Sequence, residues 1–87
     1  MASGPKVKLT KHATEKIEML KKYGFEVTKD QITQTVLNPE RLDDKNNQFF
    51  AASLLDSNHA LRVVYETRKD YLLVITFYPV KRERYGL

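Results

Sequence analysis

The spacing of apolar residues changes from helical to extended near Pro39. Ahead of that point, Val7 and Leu9 alternate with Lys6 and Lys8, the period of two expected of a short edge strand. Thr10 is placed to cap a helix by accepting a hydrogen bond from a first-turn amide. Ala13, Ile17 and Leu20 then recur at helical spacing, Met19 and Tyr23 widen the stripe, and Gly24 sits where a left-handed residue would end the helix. A second helix begins at Thr28. Thr28 and Gln31 have the spacing of a capping box, and Val27 and Ile32 that of a hydrophobic staple. Ile32 and Val36 line its buried side with Leu37 flanking, and Asn38-Pro39 stops it, because the residue before a proline is pushed out of the helical region.

Beyond Pro39 the pattern becomes extended. Residues 41–47 are polar and read as a loop with room for one short strand. Residues 48–55, 60–66 and 71–78 are rich in aromatic and branched side chains, and the polar linkers between them are short enough for antiparallel hairpins. Residues 71–78 are apolar at nearly every position, which predicts a central strand covered on both faces; Pro79 is expected to end it. The predicted class is α+β: a short N-terminal strand, a two-helix hairpin, then a three- to four-stranded antiparallel meander packed on the helices. Residues 6–87 form a single domain. Residues 1–5, Met-Ala-Ser-Gly-Pro, read as a disordered leader or an expression remnant.

Composition narrows the function classes. At 87 residues the chain is near the lower limit of what one hydrophobic core supports, and with 41% apolar residues it lies above the disordered regime. There is no cysteine, hence no disulfide framework and no thiolate metal site. No apolar run is long enough to span a bilayer, and a cytoplasmic location without a membrane partner is expected. A net charge of +4 suits an anionic partner such as nucleic acid, an acidic protein or a membrane surface, although the same charge also serves plain solubility. Placement of the cations has to separate those readings.

Three groups stand out. Lys81-Arg82-Glu83-Arg84-Tyr85 follows the last strand and mixes cations with an aromatic ring, a composition suited to phosphate contact and base stacking or, more plainly, to a solvated terminus. Arg62 alternates with Leu61 and Val63 inside a strand, where an arginine must either line a cleft or pair with a neighbour such as Glu66. His12, at about the second position of helix one, can serve as a general base or can simply be surface. His59 reads as a turn residue, and the adjacent Asp43 and Asp44 are poorly placed to converge. No metal motif, glycine-rich phosphate loop or nucleophile elbow is present in the sequence.

Three stretches taken together carry a resemblance: His12 opening a helix, Val-Leu-Asn-Pro-Glu at 36–40, and Leu-Arg-Val-Val-Tyr at 61–65 followed by Val-Ile-Thr-Phe-Tyr-Pro-Val-Lys-Arg-Glu-Arg-Tyr at 74–85. Over roughly residues 7–85 the chain resembles small bacterial and archaeal domains grouped with the RelE/BrnT-like toxins. The resemblance implies a RelE-like fold and a metal-independent, cofactor-free endoribonuclease of a toxin–antitoxin pair. Its partners would be RNA, free or on the ribosome, and a cognate antitoxin protein. It also implies attack of the RNA 2′-hydroxyl on the adjacent phosphorus, with His12 as base and Arg62 and Arg82 steadying the phosphorane charge. Tyr78, Lys81, Arg84 and Tyr85 would contact RNA. The sequence departs from such relatives at Lys21-Lys22-Tyr23-Gly24, where they often carry an arginine before the glycine. Two other classes suit the same residues: a non-catalytic RNA-binding or ribosome-associated module, and a basic protein-interaction domain.

Overall fold

Thr10 and Thr28 start the two helices as their side chains predict. In the computed structural model, which describes residues 5–87 apart from the Tyr85 side chain, Thr10 Oγ1 accepts from the Ala13 amide at 3.1 Å and opens α1 (Lys11–Lys21). Thr28 and Gln31 close a reciprocal capping box on α2 (Lys29–Leu37), with bonds of 2.9 and 3.1 Å. Gly24, at φ +89°, takes the left-handed conformation after α1 that a side chain would strain. Except for Pro5, which is exposed coil, the leader expected at residues 1–5 lies outside the described residues.

The extended segments are β1 (Lys6–Leu9), β2 (Arg41–Lys45), β3 (Gln48–Leu54), β4 (His59–Thr67) and β5 (Tyr71–Lys81), followed by a 3₁₀ turn at Arg82–Tyr85. They form one mixed sheet in the order β1-β5-β4-β3-β2. β2 to β5 make a four-stranded antiparallel meander, and β1 adds to the edge of β5 in parallel. The molecule is therefore α+β, with two helices on one face of a five-stranded sheet. Residues 41–45 form a full strand because Asn46 and Asn47, at φ 52° and 66°, supply the two left-handed residues of a tight hairpin turn.

The helices cover one face of the sheet. Ala13, Val27, Ile32 and Val36 meet Ala51, Leu61, Val63, Tyr65, Val74 and Phe77 in the core, with Ile17 and Leu20 packed against it. Residues 71–78, expected to be the central strand, instead lie on the second strand from the edge. β1 pairs only with Tyr71 to Val74, so the remainder of β5 is an edge beside α1, while β4 is flanked along its length by β3 and β5. This also explains why Pro79 does not end β5. A proline is tolerated where no neighbouring strand needs its missing amide, and β1 has stopped by then.

One irregularity in β5 sets the orientation of its second half. Tyr65 pairs with Val74, but the next residue back, Val64, pairs with Thr76, so Ile75 is an extra residue bulged out of the ladder. Val74 faces the helices. In an unbroken strand Thr76 and Tyr78 would face them too; the bulge instead sends Phe77 into the core and turns Thr76 and Tyr78 to the outer face.

Candidate functional site

The register of the meander builds the site on the outer face. Ala52, Arg62 and Tyr78 lie directly across from one another on β3, β4 and β5, with Phe50, Val64 and Thr76 forming the next row. Small, buried Ala52 leaves room for Arg62 to lie along the sheet. Its guanidinium stacks over the Phe50 ring, 4.7 Å from the centroid, and donates through Nη1 to the Tyr78 hydroxyl at 2.7 Å. The same guanidinium stands 5.6 Å from the Tyr78 ring centroid. Glu66, the alternative partner the sequence offered for Arg62, bonds to two other side chains. It accepts from Gln48 at 3.0 Å and pairs with Arg68 at 2.6 Å, and these two partners hold its pKa below the ordinary range.

From the other side of Tyr78, α1 reaches around the unpaired edge of β5. His12 and Lys16 are one helical turn apart and so project from the same side of the helix. Lys16 Nζ donates to Thr76 Oγ1 at 3.3 Å and stands 5.2 Å from the Tyr78 ring centroid; His12 Nε2 lies 3.3 Å from the same Thr76 oxygen. Thr10 ties this corner down, its amide donating to the Val74 carbonyl and its hydroxyl to that of Ile75. The result is a row across the outer face that alternates rings and cations: Phe50, Arg62, Tyr78, Lys16, then Thr76 and His12.

Of the residues singled out in the sequence, the structure brings His12, Arg62 and Tyr78 together. Arg82 sits at the end of the sheet, where Nε donates to the Leu87 carbonyl at 2.8 Å and Nη1 to that of Ser57 at 3.4 Å. It ties the residues after β5 to the β3–β4 turn. Lys81 pairs across from His59 on the helix-facing side, and Arg84 is exposed on the 3₁₀ turn, so neither joins the row. The Tyr85 side chain lies outside the described residues. His59 opens β4, packs edge-on to Phe25 with centroids 5.1 Å apart, and bonds through Nδ1 to Asp56. The Asn58 amide, and His59 after it, keep the Asp56 carboxyl below its ordinary pKa. Asp43 and Asp44 alternate along β2, and Asp43 pairs with Arg41 at 3.0 Å.

Sequence reasoning missed Phe50, Lys16 and Thr76. The spacing of Lys16 from His12 was a usable signal; Thr76 carried none without the bulge. The row offers positive charge, stacking surfaces and a hydroxyl–imidazole pair, which suits a phosphate backbone bearing unpaired bases. No family model, no curated protein and no solved structure matches this chain.

Proposed function

We propose that this chain is a RelE-like toxin endoribonuclease that cuts RNA without a metal ion. The observation that carries the reading is the Arg62–Tyr78 pair on the outer face, joined by His12 from α1 in one row with stacking rings. The order of strand, helix pair and antiparallel meander supports the same class, since it is the architecture that the sequence resemblance implies.

In this reading the RNA 2′-hydroxyl attacks the adjacent phosphorus. His12 takes its proton, the bond from phosphorus to the 5′-oxygen breaks, and the products carry a 2′,3′-cyclic phosphate and a free 5′-hydroxyl. Arg62 meets the equatorial oxygens of the phosphorane, a task suited to its planar fork of donors. The Tyr78 hydroxyl, already polarised by the Arg62 bond, delivers a proton to the departing oxygen. Lys81 and Arg84 contact flanking phosphates at the sheet end, and Arg82 keeps that segment in place. A cognate antitoxin would bind over the row and relieve the growth arrest that the free protein causes.

The test is cleavage of an RNA oligonucleotide with product ends identified by mass. Arg62→Ala is expected to lower the rate by about 100-fold or more while leaving the circular dichroism spectrum unchanged. A 2′-deoxy substitution at the cut site should block cleavage. Undiminished activity in Arg62→Ala, or cutting at the deoxy position, overturns the mechanism. One observation favours a second reading, a non-catalytic RNA-binding module. His12 is exposed, and no carboxylate among the described residues bonds to its ring to orient it. If the wild type binds RNA without cutting it and His12→Ala binds equally well, that module is the function.

A further inference from the structure

Lys16 is the cation that α1 brings to the row. It is half-buried, and among the described residues no carboxylate lies within ion-pair distance of it. A lysine that merely covers apolar surface sends its ammonium out to water. Here the head group is turned back onto the sheet: Nζ donates to Thr76 Oγ1 at 3.3 Å, with the Tyr78 and Phe77 ring centroids 5.2 and 5.8 Å away. Withdrawing a charge from water without a partner is unfavourable, and the lowered pKa of this amine, caused by burial, reflects that. An arriving anion would reverse the penalty.

The neighbours narrow the anion. Arg62 approaches Tyr78 from β4 and Lys16 approaches it from α1, so the two cations flank one ring. The Thr76 hydroxyl, shared between Lys16 and His12, fixes where the ammonium points and can itself donate to an oxygen. Two cations separated by a stacking ring match a single-stranded backbone, in which successive phosphates are separated by a base free to stack.

We propose that Lys16 binds a backbone phosphate of single-stranded RNA next to the one held at Arg62, with Thr76 as its positioning residue. This assignment rests on the RNA reading above but not on cleavage, and the experiment separates the two. The probe is a fluorescent single-stranded oligonucleotide that is 2′-O-methylated throughout, which removes the nucleophile and leaves the phosphates. Its Kd is measured by anisotropy over a series of salt concentrations.

Lys16→Met is expected to weaken binding about tenfold and to flatten the salt dependence by the release of about one fewer counterion. Lys16→Arg should restore both. Thr76→Val, which keeps the side-chain shape, should weaken binding by about threefold without changing the salt slope, because the charge remains but is no longer aimed. Unchanged Kd and slope in Lys16→Met overturn the proposal, as does a wild type with no affinity for the probe. A wild type that binds with the Lys16 dependence but leaves unmodified RNA intact supports the phosphate site and removes the nuclease reading. Cleavage by the wild type, with Lys16→Met binding as tightly as the wild type, does the reverse.

Discussion

At the scale of single residues, Lys16 illustrates how a binding group can work against the fold that carries it. Its pKa is lowered by burial, so the folded state releases this proton more readily than the unfolded chain does. For a base shifted in this direction, stability rises as pH climbs from the lowered folded value toward the ordinary lysine value, and the penalty is fully present below that window. Lys16→Met, which keeps the length of the side chain and removes the charge, is therefore expected, below that window, to raise the thermal midpoint slightly, by about 1–2 °C, because water still screens much of the ammonium. The difference from wild type should shrink as the solution is made alkaline. A lower midpoint for Lys16→Met in scanning calorimetry would show instead that its bond to Thr76 outweighs desolvation. Arg62 meets the same difficulty in another way, because the Phe50 and Tyr78 rings and the phenol oxygen receive its guanidinium inside the site.

At the scale of elements, local chemistry and long-range pairing divide the work unequally. The α2 capping box depends on two side chains three residues apart, and both of its bonds form. Thr28→Ala removes the acceptor for the Gln31 amide and should lower stability by about 1 kcal/mol, measured as a shift in the urea midpoint at constant slope. The outcome for β5 rested on information that its own sequence lacks. Its apolar run looks like a fully enclosed strand. How far it is enclosed depends on where β1 ends, and which face each residue takes depends on the bulge at Ile75. Val74 and Phe77 are both fully buried at a spacing of three, which regular alternation does not allow and a bulge does. The pattern can be recognised afterwards, but a run with apolar residues at nearly every position hides it beforehand.

At the scale of the whole molecule, a chain of 87 residues has little stability in reserve. Phe77 is the largest of the fully buried side chains and belongs to the core that joins the helices to the sheet. Phe77→Ala should cost about 3–5 kcal/mol, a large share of what a domain of this size possesses. Partial or complete unfolding at 25 °C in denaturant titrations is the expected result; a loss below about 1 kcal/mol would mean that the core repacks around the gap. The positive charge is also distributed in a way that net charge does not convey. Some cations gather in the row on the outer face, whereas Lys81, Arg82 and Arg84 stand together at the end of the sheet.

By itself the sequence determined what short-range physics controls: the two helix starts, the glycine after α1, the proline after α2, and the change of period that separates helices from strands. It also showed that Arg62 and Tyr78 lie on strands, although not that they lie across from each other. The tertiary structure alone decided which cations share a face. Tyr78 meets Arg62 through strand register, Thr76 joins them because a bulge re-phases one strand, and Lys16 reaches them from a helix 60 residues from Thr76 in sequence. Arg82, in sequence the nearest of the predicted catalytic residues to Tyr78, was drawn instead to the backbone carbonyls of Ser57 and Leu87. Propensity acts over one turn or one hairpin, whereas a site on a sheet face is assembled by pairings that close only when the whole domain folds.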